Sequence, residues 1–492
     1  MQNTLYYGDN LAILRDHIAS ESVDLVYLDP PFNSNRDYNA IYKDETGRQL
    51  PDQIEAFNDL WELSEERQRA IRMMPVLMRD YGIDDDIVEF WKIWMNALRN
   101  TQPRLLAYLS YMTERLLPLR SILNPTGSIY LHCDPTASHY IKVMMDGIFG
   151  HANFRNEIYW YYYNKMHDSR KKLFPKATDS ILFYVKDHRT DFTFHQIKED
   201  RAEPVRQLMR VKRDGKIVNA RDAEGKLMYQ TKTDRTVDNV WRIPALQPAS
   251  PEKLGYPTQK PLKLLERIIE ASTNEGDVVF DPFCGCATTI EAAHMMKRKW
   301  IGIDIAIHAI KRVAKVRLED RLGLREGVDF VVEGVPVSLE GAMDLWERDK
   351  HHFQKWAIEQ IDGFVTSRKT ADGGIDGRLY FSLPGQSDLA SMVLEVKGGR
   401  NVGVHAVRDL RGVLERDQAL MAGLIVMEDL GDRKTANFRR EMGEAGDMDV
   451  NGVLYPRMQM LTVPEIIEGK RFLTPSVARG KAVSQPMLPL GR

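Results

Sequence analysis

The chain has 492 residues, 43% of them hydrophobic and 28% charged, with a net charge of −2. Single cores rarely grow past about 250–300 residues, so this length predicts several domains. The charge balance excludes a uniformly basic nucleic-acid coat, and three cysteines (Cys133, Cys284, Cys286) exclude a disulfide framework. No apolar run approaches the roughly 20 residues of a membrane helix and no signal-peptide pattern opens the chain, which predicts a cytoplasmic protein with no membrane contact.

The first elements read as a strand at 5–7, a turn at Gly8-Asp9-Asn10 with Asn10 as helix N-cap, a helix to residue 18 and a buried strand over 23–28. Residues 36–100 are polar, then helical, and read as an insertion. A helix over 105–123 carries Leu106, Leu109, Met112, Leu116 and Leu119 on one side, and Pro125-Thr126-Gly127 stops it. A buried strand over 127–134, a helix over 139–148 and a strand over 180–185 follow. Residues 186–245 show turn signals and no strong period. A helix (262–271), strand (277–280), helix (290–296) and strand (300–303) complete an α/β pattern. Residues 321–345 read as a linker. The chain then restarts over 346–470 with a helix (353–360), strands (377–381 and 392–396), a helix (404–416) and a strand (422–427), a second, smaller α/β domain with its own core. The Pro/Ser/Gly/Lys-rich tail over 471–492 predicts disorder.

The strand over 23–28 delivers Asp29-Pro30-Pro31-Phe32 to its carboxyl end, where open α/β sheets place ligands. This set suits a planar amino group. The Asp29 carboxylate accepts one N–H, the Pro30 carbonyl accepts the other, and Phe32 offers a face for a stacked ring. A second site is the run from Val278 to Thr289, an apolar strand (ending at Asp281), a small-residue turn (Phe283-Cys284-Gly285-Cys286) and a helix start. Such a turn lets a ligand approach the backbone. Asp304 ends the next strand, where nucleoside-binding folds place an acid. Cys284 and Cys286 have no partner pair at zinc spacing and read as small packing residues. From 165 to 235 there are 18 Lys or Arg against 11 Asp or Glu, just after Tyr159-Trp160-Tyr161-Tyr162-Tyr163. Cations beside stacking rings suit a nucleic-acid strand.

The order of Gly8-Asp9, Asp29 to Phe32, Tyr256-Pro257-Thr258-Gln259-Lys260-Pro261, Phe283 to Gly285 and Asp304 resembles the β-group of amino-methylating (N6-adenine or N4-cytosine) DNA methyltransferases over residues 1–320. The resemblance implies a Rossmann-like domain that binds S-adenosylmethionine and methylates double-stranded DNA. It implies Asp29, Pro30, Pro31 and Phe32 for the target base, adenine N6 before cytosine N4. It implies Asp9, Asp281, Phe283, Gly285 and Asp304 for the cofactor, with Thr258, Gln259 and Lys260 beside it, and a target-recognition region over 186–245. Ala287 departs from the family, which often has glycine there, and implies a crowded turn. His132 and Asp134, after the catalytic loop, read either as a catalytic pair or, the commoner role, as residues that hold the loop by hydrogen bonds.

In the C-terminal part, Asp376 precedes a strand, and Glu395-Val396-Lys397 ends another with its two charged side chains on one face. Two carboxylates can hold Mg²⁺ while Lys397 stabilises charge at phosphorus. This resembles the restriction-endonuclease-like fold of Mrr-like nucleases, with Asp376, Glu395 and Lys397 catalytic and Asp376 and Glu395 on the metal. Two departures stand out: Glu395 where many members have Gln, and Gln354 after Phe353 where they often have Glu. The resemblance implies a restriction–modification or defence enzyme, compatible with a homodimer and with further subunits. Two other readings stay open here: a methyltransferase whose C-terminal domain only binds DNA, and a DNA-binding protein with both sites degenerate.

Overall fold

The computed structural model describes residues 2–475 except 32–37, 41–53, 58–60, 166–171, 173, 214, 248, 255–258, 308, 316, 367–374, 385–388, 400, 401, 418 and 429. Residues 476–492 of the predicted disordered tail lie outside the described residues, as do Phe32 and Thr258, whereas 471–475 are ordered against the fold, with Phe472 buried in an apolar cluster and Leu473 bonded to Gln459.

Short apolar runs build a nine-stranded sheet. Across it lie Val240–Arg242, Phe154–Tyr161, Thr178–Val185, Leu123–Cys133, Val23–Leu28, Val278–Asp281, Lys299–Asp304, Thr4–Tyr7 and Val331–Glu333. Thr178–Val185 runs against both its neighbours and the other pairings are parallel. The central strands are buried on both faces, which is why they read as continuous apolar runs without alternation. Asn10–Asp16, Pro103–Ile122 and Ser138–Met145 cover one face, and the insertion helices Glu65–Asp80 and Asp85–Thr101 pack on the same apolar cluster. Leu262–Ser272 and Thr288–Met295 cover the other. Val23–Leu28 and Val278–Asp281, some 250 positions apart in sequence, are neighbours. The loops after both strands thus meet at one edge.

Two local readings differ from the sequence expectation. Asp9, not Asn10, caps the first helix, because its carboxylate accepts N–H groups from Leu11 and Ala12. Residues 321–345, read as a linker, include Val331–Glu333, which joins the large sheet beside Thr4–Tyr7, and the start of helix Leu339–Arg348. Residues 186–245 form antiparallel pairs, Lys198–Leu208 with Tyr229–Thr236 and Arg210–Arg213 with Lys216–Asn219. Nearly all their side chains are exposed, so no buried face imposed a period on the sequence.

The C-terminal part has a five-stranded sheet in the order Phe364–Val365, Gly377–Ser382, Leu389–Lys397, Met421–Val426 and Met458–Thr462. Helix His405–Arg416 packs on one face in an apolar cluster of its own. The other face shares its core with the large sheet. A single cluster takes in Leu265, Ile307 and Phe330 together with Trp356, Phe381 and Leu394. The sequence predicts a separate core here. Instead Phe353 and Trp356, both fully buried, lie in apolar surface common to both parts.

Candidate active sites

Asp29 sits where the sequence places it, at the carboxyl end of a central strand. Lys260 donates to its Oδ2, and both side chains are largely buried. The sequence resemblance put Lys260 beside the cofactor; the structure puts its ammonium on Asp29. Pro261 follows and caps helix Leu262–Ser272, so the helix start fixes where Lys260 reaches. Gln259 is turned away from both groups. Its carbonyl accepts from Leu254 N–H at 2.8 Å and its amide donates to the Glu252 carbonyl at 2.7 Å, holding its own loop.

A buried polar chain starts at Tyr27, two residues before Asp29. The Tyr27 hydroxyl bonds His132 Nδ1 at 3.1 Å, and His132 Nε2 faces Asp179 Oδ2 at 3.4 Å. Lys176 approaches Asp179 at 3.0 Å and Asp134 at 3.4 Å. Burial alone would raise the Asp179 carboxyl, but His132 and Lys176 outweigh it and hold it well below the usual carboxylate range. Both His132 nitrogens are engaged, with Tyr27 and Asp179. Tyr27, Asp179 and Lys176 were missed, because the strands that carry them pair across large sequence gaps.

A cleft lined by Gly8, Asp9, Asn10, Tyr111, Pro282, Phe283, Asp304 and Ile305 opens at the same edge. Asp304 is buried and accepts N–H groups from Gly285 at 2.9 Å and Ala306 at 2.8 Å. Burial pushes its carboxyl up. Asp281 is pushed up to about 7 by burial, against the pull of the Thr289 hydroxyl and the Phe283 N–H. The turn between these acids needs left-handed backbone at Gly285 (φ 47°) and at Ala287 (φ 60°). At Ala287 the missing glycine is therefore felt as backbone strain. At Gly302 an added Cβ would lie 2.2 Å from Ile290 Cδ1, so a side chain there would displace the end of Ile290 on the turn's helix. Cys284 and Cys286 are buried among these residues, and burial raises both thiols.

Arg115, behind the cleft against Tyr111 and Asp9, is a residue that sequence reasoning missed. Its guanidinium is buried, donates to Asp9 Oδ2 at 2.8 Å and Asn10 Oδ1 at 2.6 Å, and lies 3.4 Å from the Tyr111 ring centre. Asn10 in turn donates to the Pro282 carbonyl at 2.9 Å. One cation thus ties the loop at 8–10 to the turn at 282–285. The only sequence signal was an Arg in the apolar stretch of helix Pro103–Ile122. Asp9 divides its carboxylate between capping a helix and pairing with Arg115, while the residue still lines the cleft.

At the second candidate site, Asp376 N–H donates to the Leu394 carbonyl at 2.9 Å and Asp376 Oδ2 accepts from Val396 N–H at 2.7 Å. This brings Asp376 beside Glu395, and Lys397 Nζ stands 2.6 Å from Glu395 Oε1. The other Glu395 oxygen is buried with no hydrogen-bond partner among the described residues. Burial raises the Glu395 carboxyl despite Lys397, and Asp376 adds to the rise. Among the described residues no group of three or more His, Cys, Asp or Glu is placed to hold a metal ion. Two acids and an orphaned carboxylate oxygen suit Mg²⁺, which keeps several of its waters.

Among the described residues no helix is long and apolar enough to cross a membrane. Residues 23–315 match the family model described as DNA methylase, of the N6/N4 type. The chain is 30% identical over 295 residues to the Type II methyltransferase M.HpaI of Haemophilus parainfluenzae, covering 60% of this chain and 79% of that one. It is 23% identical over 404 residues to the Type II methyltransferase M.EcaI of Enterobacter cloacae, covering 72% and 77%. It is 25% identical over 316 residues to the DNA adenine methyltransferase YhdJ of Escherichia coli (strain K12), covering 63% and 80%. The solved M1.HpyAVI–SAM complex aligns over 65% of this chain and 99% of its own, at 18% identity and a TM-score of 0.34. With the family model spanning more than half of its length, the chain belongs to the N6/N4 DNA methylase family and is a DNA methyltransferase.

Proposed function

We propose that the protein transfers a methyl group from S-adenosylmethionine to the N6 amino group of adenine in double-stranded DNA, and that its C-terminal part is a Mg²⁺-dependent endonuclease, as in restriction–modification. The observation that carries the first activity is Asp29 at the end of a strand that neighbours the strand bearing the 282–287 turn. The likeness to a protein described as a DNA adenine methyltransferase favours adenine over cytosine.

The cleft of Gly8, Asp9, Phe283 and Asp304 offers the cofactor acids, an aromatic edge and backbone that a ligand can approach closely. When bound, S-adenosylmethionine supplies an electrophilic methyl group on a sulfonium sulfur. The target base leaves the duplex to reach the loop. Asp29 and the Pro30 carbonyl accept the two amino N–H groups, drawing the nitrogen lone pair out of conjugation and aiming it in line. Asp29 then receives the surplus amino proton. Lys260 keeps the Asp29 carboxylate oriented before the base arrives. The exposed strands between 198 and 236, with Arg206, Arg210, Lys212 and Lys216 at their surface, contact the duplex. In the C-terminal part, Asp376 and Glu395 would hold the metal and Lys397 would face the phosphate.

Methylation of DNA by the full chain and by Asp29→Ala tests this, with modified-base sequencing of the product. The variant is expected to lose at least about 1000-fold in rate while keeping cofactor affinity, since the lost acceptors act on the base alone. Methylation at the parent rate in Asp29→Ala would remove the catalytic assignment, and a modified cytosine would remove the adenine assignment.

A further inference from the structure

Helix Lys350–Gln360 opens the C-terminal part, yet it contacts the two segments that lead into and out of the methyltransferase cleft, at Tyr7 and Ile307. Ile307 N–H donates to Glu359 Oε2 at 3.0 Å, a buried contact. Ile307 lies three residues after Asp304, and Asp304 itself accepts from Ala306 N–H. The segment 304–307 is therefore held from both ends, by its own acid and by a carboxylate of the other part. The His352 ring lies 4.7 Å from the Tyr7 ring, and Tyr7 ends the strand that leads into Gly8 and Asp9. Lys355 stands 3.9 Å from Glu359 Oε1, and its charge acts on Asp304 as well. Phe353, Trp356 and Ile358 are fully buried in the apolar cluster that contains Ile307, Ile310 and Phe330.

Glu359 is costly to keep there. Burial pushes its carboxyl up to about 7, and Lys355 and the Ile307 N–H recover only part of that. A purely apolar docking of the helix would need no acid at this point. What Glu359 does supply is an acceptor for an N–H that would otherwise be orphaned inside the protein. That N–H belongs to the segment carrying the cleft's second acid.

We propose that Glu359 is a positioning residue for the cofactor acid, and that helix Lys350–Gln360 forms the outer support of the methyltransferase cofactor pocket. This rests on the reading of that cleft as the S-adenosylmethionine site. The helix fixes segment 304–307 and the end of strand Thr4–Tyr7, so cofactor affinity depends on the C-terminal part. By linkage, cofactor binding in turn tightens the helix.

The test uses the full chain. Titration calorimetry with S-adenosylmethionine compares the parent with Glu359→Ala and Glu359→Gln. Loss of the buried acceptor is expected to weaken binding about tenfold in Glu359→Ala, while Glu359→Gln, which keeps a carbonyl for the Ile307 N–H, stays within about threefold. The loss should fall in KM for the cofactor and not in kcat at saturation. Hydrogen exchange on the parent gives a readout that needs no variant: the cofactor should slow exchange over 350–360 as well as over 303–307. Unchanged affinity in Glu359→Ala, or equal loss in both variants, overturns the inference. So does exchange over 350–360 that ignores the cofactor. A parent chain that binds no S-adenosylmethionine would instead overturn the cofactor reading beneath it.

Discussion

Two lysine–carboxylate pairs mark the two candidate sites, and they are built in opposite ways. Asp29 and Lys260 are 231 positions apart and come from a strand end and a helix start. Both are nearly buried, at 15% and 10% side-chain exposure. Glu395 and Lys397 are two positions apart on one strand, with the acid buried and the lysine 42% exposed. The first pair exists only once the large sheet has brought both segments to one edge. The second needs little more than a strand and its neighbour. The first candidate site is therefore a product of the whole fold, while the C-terminal pair is local and leaves its lysine half exposed.

The sharpest way to break this contrast is to remove each lysine. Lys260→Ala leaves Asp29 buried without its cation, so it should cost about 3 kcal/mol of stability as well as most methyl transfer. Lys397→Ala should remove Mg²⁺-dependent cleavage of unmodified DNA at a stability cost below about 1 kcal/mol, because a half-exposed pair is worth little. Urea midpoints beside the two activity assays read both. Equal stability losses would erase the contrast, and absence of cleavage by the parent with Mg²⁺ would leave the second pair without a nuclease role.

A smaller effect concerns pH. The Glu395 carboxyl is raised in the folded chain above its ordinary 4.5. The folded state then binds more protons than the unfolded one, so the stability this group contributes is full below about 4.5 and is lost as pH rises through the folded value. Glu395→Gln should flatten that decline. A parent and variant with parallel stability curves from about pH 4 to 8, upward from the usual carboxyl range, would show that Lys397 cancels the burial cost. The smallest effect is expected at the cofactor turn. Ala287→Gly relieves a left-handed alanine but adds chain entropy, for a net gain of up to about 1 kcal/mol in thermal melting. A lowered Tm would mean the Cβ packs usefully there.

Much of this was legible in the sequence wherever the determinant is short-range. The strand to Asp29 and the turn at 283–285 are readable because a buried parallel strand is an uninterrupted apolar run ending in polar residues. Glu395 and Lys397 are readable because strand periodicity puts alternate residues on one face. The pairing of Lys260 with Asp29 was not readable, because its neighbour is set by sheet order. Arg115 was missed for the same reason: its partners, Asp9 and Asn10, are over 100 positions away. The linker reading over 321–345 failed at Val331–Glu333 because a three-residue edge strand carries too little pattern to stand out. A separate C-terminal core was expected because apolar positions of one helix do not say which sheet they will meet.

The shared core also bears on how such a chain can be inherited. Were the two parts joined like beads, recombination could exchange one C-terminal part for another and leave the methyltransferase whole. Here such an exchange would strip Phe353 and Trp356 from the apolar surface around Ile307 and Phe330, and with them the acceptor for Ile307. Ile307 and Ile310 sit in one apolar cluster with Trp356 and Ile358. The boundary between the two parts, plain in sequence, is crossed in packing by one shared apolar cluster.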